Sequence, residues 1–216
     1  MGYNKGTKQK FWKEIILYNK QLYSRFWLIV SILIFVVIWL LRGGKFDGNI
    51  LTAAFSAAGV TLLIDTLIFK LFIWKRYPDL FYRWLTNVPY LGGCWEGTLH
   101  SNYLMPDTNE TVAPIKAKLE IVHDFESLHI KMETDKSYSS SYVSGIVIDE
   151  GKQKYLCYLY SNDADKDRDI NPKHDGAVKL RIKHDGELRL EGHYWTGRST
   201  TGRMEFVRIT KKNSLA

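Results

Sequence analysis

The stretch QLYSRFWLIVSILIFVVIWLLR, residues 21–42, decides the fold of this chain. Within residues 26–41 every side chain except Ser31 is apolar. With Leu22 and Tyr23 the segment reaches the roughly 20 residues that a helix needs to cross a hydrocarbon core of about 30 Å. The sequence therefore predicts a membrane-spanning helix near the N-terminus.

A second apolar run, NILTAAFSAAGVTLLIDTLIFKLFIWKR, follows at residues 49–76 after the short polar turn RGGKFDGN. So short a connection predicts a two-helix transmembrane hairpin over residues 26–76. Lys and Arg are concentrated in residues 1–25 and just after the second run, which predicts that both termini are cytoplasmic. Residues 1–25 themselves are expected to form an amphipathic segment in the membrane interface.

Two features of the second run exceed what an anchor requires. Ala53 and Ala57, and likewise Ala54 and Ala58, have the four-residue spacing of small side chains that lets helices approach closely. They are expected either to pack on the first helix or to mediate self-association. Asp65 is a carboxylate among apolar residues. It is interpreted either as a group bonded to Thr61 or Thr66, or as an intersubunit or pore-lining contact.

The charge is divided unevenly along the chain. Residues 1–90 contain 12 Lys/Arg against 4 Asp/Glu, and residues 91–216 contain 18 against 19. Because the excess positive charge lies beside the apolar runs, it indicates contact with a lipid bilayer and not with long nucleic acid. The cysteines Cys94 and Cys157 are expected to be buried, reduced thiols, as suits a cytosolic domain.

After a predicted linker helix at residues 77–90, the pattern of apolar side chains changes to a period of two. About eight strands are expected in residues 91–212, separated by turn signals and without crossover helices. The fold class is therefore a membrane α-helical hairpin plus an all-β domain, a small antiparallel, roughly eight-stranded, lipocalin-like β-barrel.

Motifs that suggest catalysis have simpler interpretations. KHDG, which occurs at residues 173–176 and 183–186, is interpreted as a hairpin turn and not as a metal site. The spaced aspartates at residues 163–169 lack the glycine and the final carboxylate of a calcium loop. We therefore expect no enzyme activity, no metal and no cofactor.

The order of these parts, with the stretches GCWEGTL, YLYSNDADKDRDINPKHDGAVKL and LEGHYWTGRSTTGRMEFVR, resembles one family. This is the SMODS-associated two-transmembrane, β-strand-rich effectors of cyclic-oligonucleotide-based antiphage signalling systems (CBASS). The resemblance implies a barrel that binds a cyclic dinucleotide from a partner nucleotidyltransferase. It also implies homo-oligomerisation in the bacterial inner membrane, membrane disruption and abortive infection.

The stretch GHYWTGRSTTGR, residues 192–203, supplies the chemistry that such a ligand needs. Aromatic faces stack on bases, arginine binds phosphate in bidentate fashion, and hydroxyl groups donate hydrogen bonds. The predicted ligand-binding residues are Tyr160, Asn162, Tyr194, Trp195, Arg198, Ser199, Thr200, Thr201 and Arg203.

Two alternatives stay open on the residues alone. Tyr194 could belong to the core, with Trp195 at its rim and the arginines solvated in turns. The whole chain could instead be a membrane-tethered, lipocalin-like carrier of an apolar small molecule. A carrier should leave an empty interior, whereas the aliphatic residues of IKAKLEI and LRLEG are expected to fill a narrow barrel.

Overall fold

The structure is a computed structural model that describes residues 17–45, 48–105, 109–164 and 172–209. These residues form two compact units. The helical unit comprises residues 17–92 together with residues 122–128, and the barrel unit comprises residues 93–121 and those that follow residue 128. Most of the expected interfacial segment at 1–25 lies outside the described residues.

The helical unit contains α1 (Lys20–Leu41) and α2 (Asn49–Arg76), both long and apolar enough to cross a membrane. The side chain of Asn19 caps α1 by accepting a hydrogen bond from the Leu22 N–H. Gly43 and Gly44 follow α1 with φ values of 96° and 66°, the left-handed conformation that ends helices and favours glycine. Leu28 and Leu41 are 61% and 82% exposed, as lipid-facing side chains are. The predicted helical hairpin is confirmed.

The second half of α2 departs from ordinary α-helical geometry. Residues Ile64–Ile73 are π-helical, and the Trp74 N–H donates to the Phe69 carbonyl oxygen, five residues earlier. Asp65 and Lys70 both lie in this stretch. Long π-helical segments are rare and occur mostly at functional sites.

The helix predicted over residues 77–90 is wrong. The structure has only a 3₁₀ turn at Pro78–Phe81, after which Tyr82 is extended and Arg83 has a φ of 71°. The Thr86 hydroxyl bonds to the carbonyl oxygens of Phe81 and Val88, and these bonds stabilise an irregular chain instead of a helix.

The barrel unit is a closed antiparallel meander in which each strand pairs with its sequence neighbours and the last pairs with the first. This confirms the expected eight-stranded barrel. Its strands are β1 (Gly93–Ser101), β2 (Ile115–His123), β3 (Leu128–Thr134), β4 (Tyr138–Ile148), β5 (Lys154–Asp163), β6 (His174–Asp185), β7 (Glu187–Thr196) and β8 (Thr201–Arg208).

Strict alternation of side chains fills one half of the barrel interior. Trp95, Ile146, Leu156, Leu180 and Leu190 are all fully buried there. Alternation also corrects the expectation for Cys94, which is exposed because its neighbour Trp95 takes the inward position. Cys157 is half-buried, and burial raises the pKa of its thiol.

The two KHDG motifs differ in structure. The second one forms the β6–β7 turn, with Gly186 at a φ of 85°. The first one was also expected to be a hairpin turn, and that interpretation is wrong. Its residues from His174 onward belong to β6, and Gly176 pairs with Tyr160 of β5.

Candidate ligand-binding site

The other half of the barrel interior is a cavity of about 740 Å³. It opens at the end of the barrel that carries the β1–β2, β3–β4 and β7–β8 connections. This volume lies in the range of about 300–1,000 Å³ that is typical of small-molecule sites. The aliphatic residues that were expected to fill the barrel therefore fill only part of it. Leu99, Met132 and Met204 line the cavity beside its polar groups.

Two tyrosine rings line the cavity because glycines face them. Tyr160 pairs with Gly176 across β5 and β6, and Tyr194 pairs with Gly202 across β7 and β8. A Cβ atom at Gly176 would lie 2.4 Å from the Tyr160 ring, and one at Gly202 would lie 2.4 Å from the Tyr194 ring. Each ring therefore occupies the space above a glycine, where no other residue fits without a shift.

A repeated turn places one cation at each side of the cavity mouth. In the β3–β4 turn, the Thr134 hydroxyl accepts hydrogen bonds from the Lys136 and Ser137 N–H groups at 3.3 and 3.1 Å. The β7–β8 turn has the same design, because the Thr196 hydroxyl accepts from the Arg198 and Thr200 N–H groups at 3.3 and 3.2 Å. The sequences TDKS and TGRS thus fold alike, and the cation stands two residues after the capping threonine.

The charge of the lining suits an anion. Lys116, Lys136 and Arg198 are cationic, whereas Asp135 is the one carboxylate among the described lining residues. His174 adds a further titratable group, and its ring bonds to the Pro172 carbonyl oxygen at 2.9 Å. Arginine and lysine at the mouth of an otherwise apolar cavity favour a ligand with phosphate groups over a purely apolar one.

Burial, and in second place the nearby Tyr194, raises the pKa of Tyr160 to about 12. Its hydroxyl is therefore protonated at physiological pH and can donate a hydrogen bond to a phosphate or a base. Burial also raises the pKa of Tyr158, which lies deeper in the barrel and contacts the Tyr160 ring.

The structure separates the predicted ligand residues into two groups. Five of them line the cavity, namely Tyr160, Asn162, Tyr194, Arg198 and Thr200. The other four, Trp195, Ser199, Thr201 and Arg203, are not among the residues that line it. Trp195 and Arg203 point outward because they alternate with the inward-facing Tyr194 and Met204. Arg203 pairs with Glu205 on the outer surface.

Several lining residues were not predicted from the sequence. The polar ones are Ser101, Lys116, Thr134, Lys136, Ser137, His174 and Thr196. The likeness of TDKS to TGRS is a signal that points to Lys136. His174 had been assigned to a turn, and this assignment hid its inward position on β6.

We expect Gly202→Ala to weaken both the fold and ligand binding. The new methyl group would lie 2.3 Å from the His100 carbonyl oxygen and 2.4 Å from the Tyr194 ring. Overpacking of this kind costs about 1–3 kcal/mol, so the Tm should fall by several degrees. Thermal melts and binding titrations of the full chain check this. Gly151→Ala is the control, since its Cβ would meet only Asp149 at 3.4 Å, and an unchanged Gly202→Ala protein would refute the close approach.

In the helical unit, Asp65 has partners that the sequence did not predict. Its carboxylate accepts a hydrogen bond from the Tyr23 hydroxyl and lies 3.5 Å from Lys70 Nζ. Lys70 also bonds to Glu126 at 2.9 Å, and its ammonium group faces the rings of Tyr23 and Phe125. The Thr61 hydroxyl, proposed as a partner of Asp65, instead donates to the Ala57 carbonyl oxygen. We name Tyr23, Asp65, Lys70 and Glu126 the polar network.

The two alanine pairs have different environments. Ala53 and Ala57 are buried in the hairpin, where α1 and α2 pack together. Ala54 and Ala58 are exposed on another face of α2. The first pair thus serves packing within the chain, and the second pair is the one available for self-association.

Among the residues that the structure describes, no group of three or more His, Cys, Asp or Glu side chains could hold a metal ion. The spaced aspartates of the calcium-like loop lie mostly within residues 165–171, outside the described ranges.

Comparison with known proteins gives the barrel a family. Residues 86–208 match the family model of the "Cap15, cyclic dinucleotide receptor domain". The chain is 28% identical over 153 residues to "CD-NTase-associated protein 15" of Staphylococcus schleiferi, covering 69% of this chain and 77% of that one. It is 31% identical over 125 residues to the protein of the same name from Yersinia aleksiciae, covering 56% of each.

Proposed function

This chain belongs to the Cap15 family, whose members carry a cyclic dinucleotide receptor domain and act in CBASS, and on this premise we propose that its barrel cavity binds a cyclic dinucleotide. The cavity with two cations at its mouth and two tyrosine rings on its wall is the observation that supports this best. The nucleotide is a product of a partner nucleotidyltransferase.

The chemistry of the cavity matches the ligand group by group. A cyclic dinucleotide has two phosphodiesters, and the mouth offers Lys136 and Arg198 on opposed turns. It has two flat bases, and Tyr160 and Tyr194 present aromatic rings at which stacking is worth about 1–3 kcal/mol per base. Asn162 and the hydroxyls of Thr196 and Thr200 supply polar contacts within the same cavity.

The helical hairpin extends this proposal from recognition to effect. We propose that α1 and α2 span the bacterial inner membrane with both termini in the cytoplasm. Ligand binding drives homo-oligomerisation of the helices and disruption of the membrane, which kills the infected cell. For this to happen the ligand must bind the assembled state more tightly than the monomer, since equal affinities would shift no equilibrium.

The lipocalin-like carrier is the competing function, because Leu99, Met132 and Met204 provide an apolar wall. Three Lys/Arg side chains in the lining argue against it, since an apolar ligand gives them no partner. The two functions make opposite predictions about ligand chemistry.

We expect the full chain in detergent to bind at least one cyclic dinucleotide, and to lose affinity as salt rises because charged contacts are screened. Isothermal titration calorimetry against a panel of cyclic dinucleotides measures this, with the corresponding linear dinucleotides as controls. Binding of fatty acids or retinoids, with no heat from any cyclic dinucleotide, would favour the carrier and overturn the proposal.

A further inference from the structure

The outer wall of the barrel carries an exposed apolar band that the ligand cavity does not use. Val143, Leu159, Ala177 and Trp195 are successive cross-strand partners on β4, β5, β6 and β7. Tyr142 adjoins them at the irregularity in β4. Tyr142, Val143, Leu159 and Trp195 are 58%, 48%, 40% and 46% exposed. We name these five residues the apolar band.

An apolar row across four strands is more than scattered exposure. Adjacent strands lie about 4.8 Å apart, so the row is roughly 14 Å long. Contiguous apolar patches on soluble surfaces mark interaction sites, and tryptophan and tyrosine are the residues that most often dominate binding. The barrel is closed, so it has no free strand edge, and any partner must dock on side chains.

Charges beside the apolar band identify the partner. Asp175 and Lys179 are exposed on β6, two residues before and two residues after Ala177, on the same outward face. An acid and a base thus lie at equal distances, about 7 Å, on either side of the band's centre. The Lys179 ammonium lies 4.4 Å from the centroid of the Tyr155 ring, which holds it on the outer wall.

This arrangement is self-complementary. In a two-fold interface each surface meets its own copy. If the two-fold axis runs along the apolar band, each band residue faces itself, and Lys179 of one copy faces Asp175 of the other. Both copies form this pair, so the interface has two ion pairs flanking an apolar centre. An axis along the strand would instead oppose Lys179 to Lys179.

We propose that the apolar band is a homodimer interface through which two copies of this barrel associate face to face. This inference deepens the assembly step of the proposed function and rests on it. The band is close to the cavity in the chain, because Leu159 and Trp195 each precede or follow a cavity tyrosine by one residue. Ligand that orders those tyrosines also orders the backbone from which the band projects.

Cysteine cross-linking of the full chain in membranes tests the interface. In a Cys94→Ser, Cys157→Ser background, Ala177→Cys places a thiol on the proposed axis. We expect oxidation to give about tenfold more cross-linked dimer than the control Lys118→Cys, because an interface holds two thiols at millimolar effective concentration. Lys118 is exposed on β2, away from the band. Equal cross-linking at the two positions would overturn the proposal.

Charge reversal tests the pairing without thiols on the charged residues. In the Ala177→Cys protein, we expect Asp175→Lys or Lys179→Asp alone to weaken the dimer about tenfold, because two attractions become repulsions. Combining them should restore it. Loss in the double variant as large as in the single ones would overturn the pairing.

Performing the cross-linking with and without cyclic dinucleotide, beside calorimetry on the same proteins, separates the two proposals. Nucleotide binding without cross-linking at Ala177→Cys contradicts the interface and leaves the receptor function standing. Cross-linking without any nucleotide binding contradicts the receptor function and leaves the interface standing.

Discussion

Arg198→Ala should weaken cyclic-dinucleotide binding about 10- to 150-fold, since hydrogen bonds to charged groups are worth roughly 1.5–3 kcal/mol. The side chain stands at the cavity mouth on a turn that Thr196 caps with backbone hydrogen bonds. Those bonds use the Arg198 backbone and not its guanidinium, so the turn survives the substitution. Calorimetry on the full chain measures the loss, and the Tm should be unchanged.

The chain contains a matched control for this experiment. Arg203 is five residues away and exposed, but it pairs with Glu205 on the outer wall. We expect Arg203→Ala to bind nucleotide like the unsubstituted protein, although sequence reasoning placed both arginines in the site. Lys136→Ala should weaken binding as Arg198→Ala does, because Lys136 has the equivalent position on the β3–β4 turn. Unaltered affinity in Arg198→Ala, or a large loss in Arg203→Ala, would contradict the assignment.

Asp65→Ala should preserve nucleotide binding and abolish killing of induced cells. The carboxylate joins α1 to α2 through the Tyr23 hydroxyl and lies near Lys70 in the π-helical stretch. Its removal leaves Lys70 with Glu126 as its acidic partner and breaks the tie to α1. Colony counts after induction measure killing, and immunoblots of the membrane fraction confirm equal amounts. Asp79→Ala, an exposed carboxylate in the 3₁₀ turn, is the control.

Tyr23→Phe distinguishes the two ways in which Asp65 could act. It removes the hydrogen bond to Asp65 and keeps the carboxylate. If Asp65 acts by holding the hairpin of its own chain, Tyr23→Phe should reduce killing as well. If Asp65 contacts a neighbouring subunit, Tyr23→Phe should kill normally. Undiminished killing by Asp65→Ala at equal membrane levels would remove Asp65 from the effector mechanism.

The hairpin and the barrel could be predicted from sequence because each depends on local periodicity. Long apolar runs identify α1 and α2, and a period of two identifies the strands. The same period, applied within GHYWTGRSTTGR, also separates Tyr194 from Trp195, since neighbours on a strand face opposite sides. Treating those residues as one cluster overlooked this.

Other parts of the site depend on closure of the barrel. Antiparallel alternation brings the β3–β4 and β7–β8 turns to the same end, so Lys136 and Arg198 meet around one cavity although they are distant in sequence. The partners of Asp65 required tertiary structure too, because Glu126 and Phe125 come from the connection between β2 and β3. A pattern within one segment carries no information about such contacts.

The division of the barrel interior has an evolutionary consequence. The packed half contains Trp95, Leu156 and Leu180 and supplies the apolar burial that keeps the fold stable, whereas the residues at the open end are mostly polar and lie at strand ends and turns. Mutations at that end therefore cost little folding energy. Descendants of this receptor can exchange one signalling nucleotide for another by altering a few turn residues while inheriting the same scaffold, which gives a host lineage a short route to keep pace with viruses that learn to destroy its messenger.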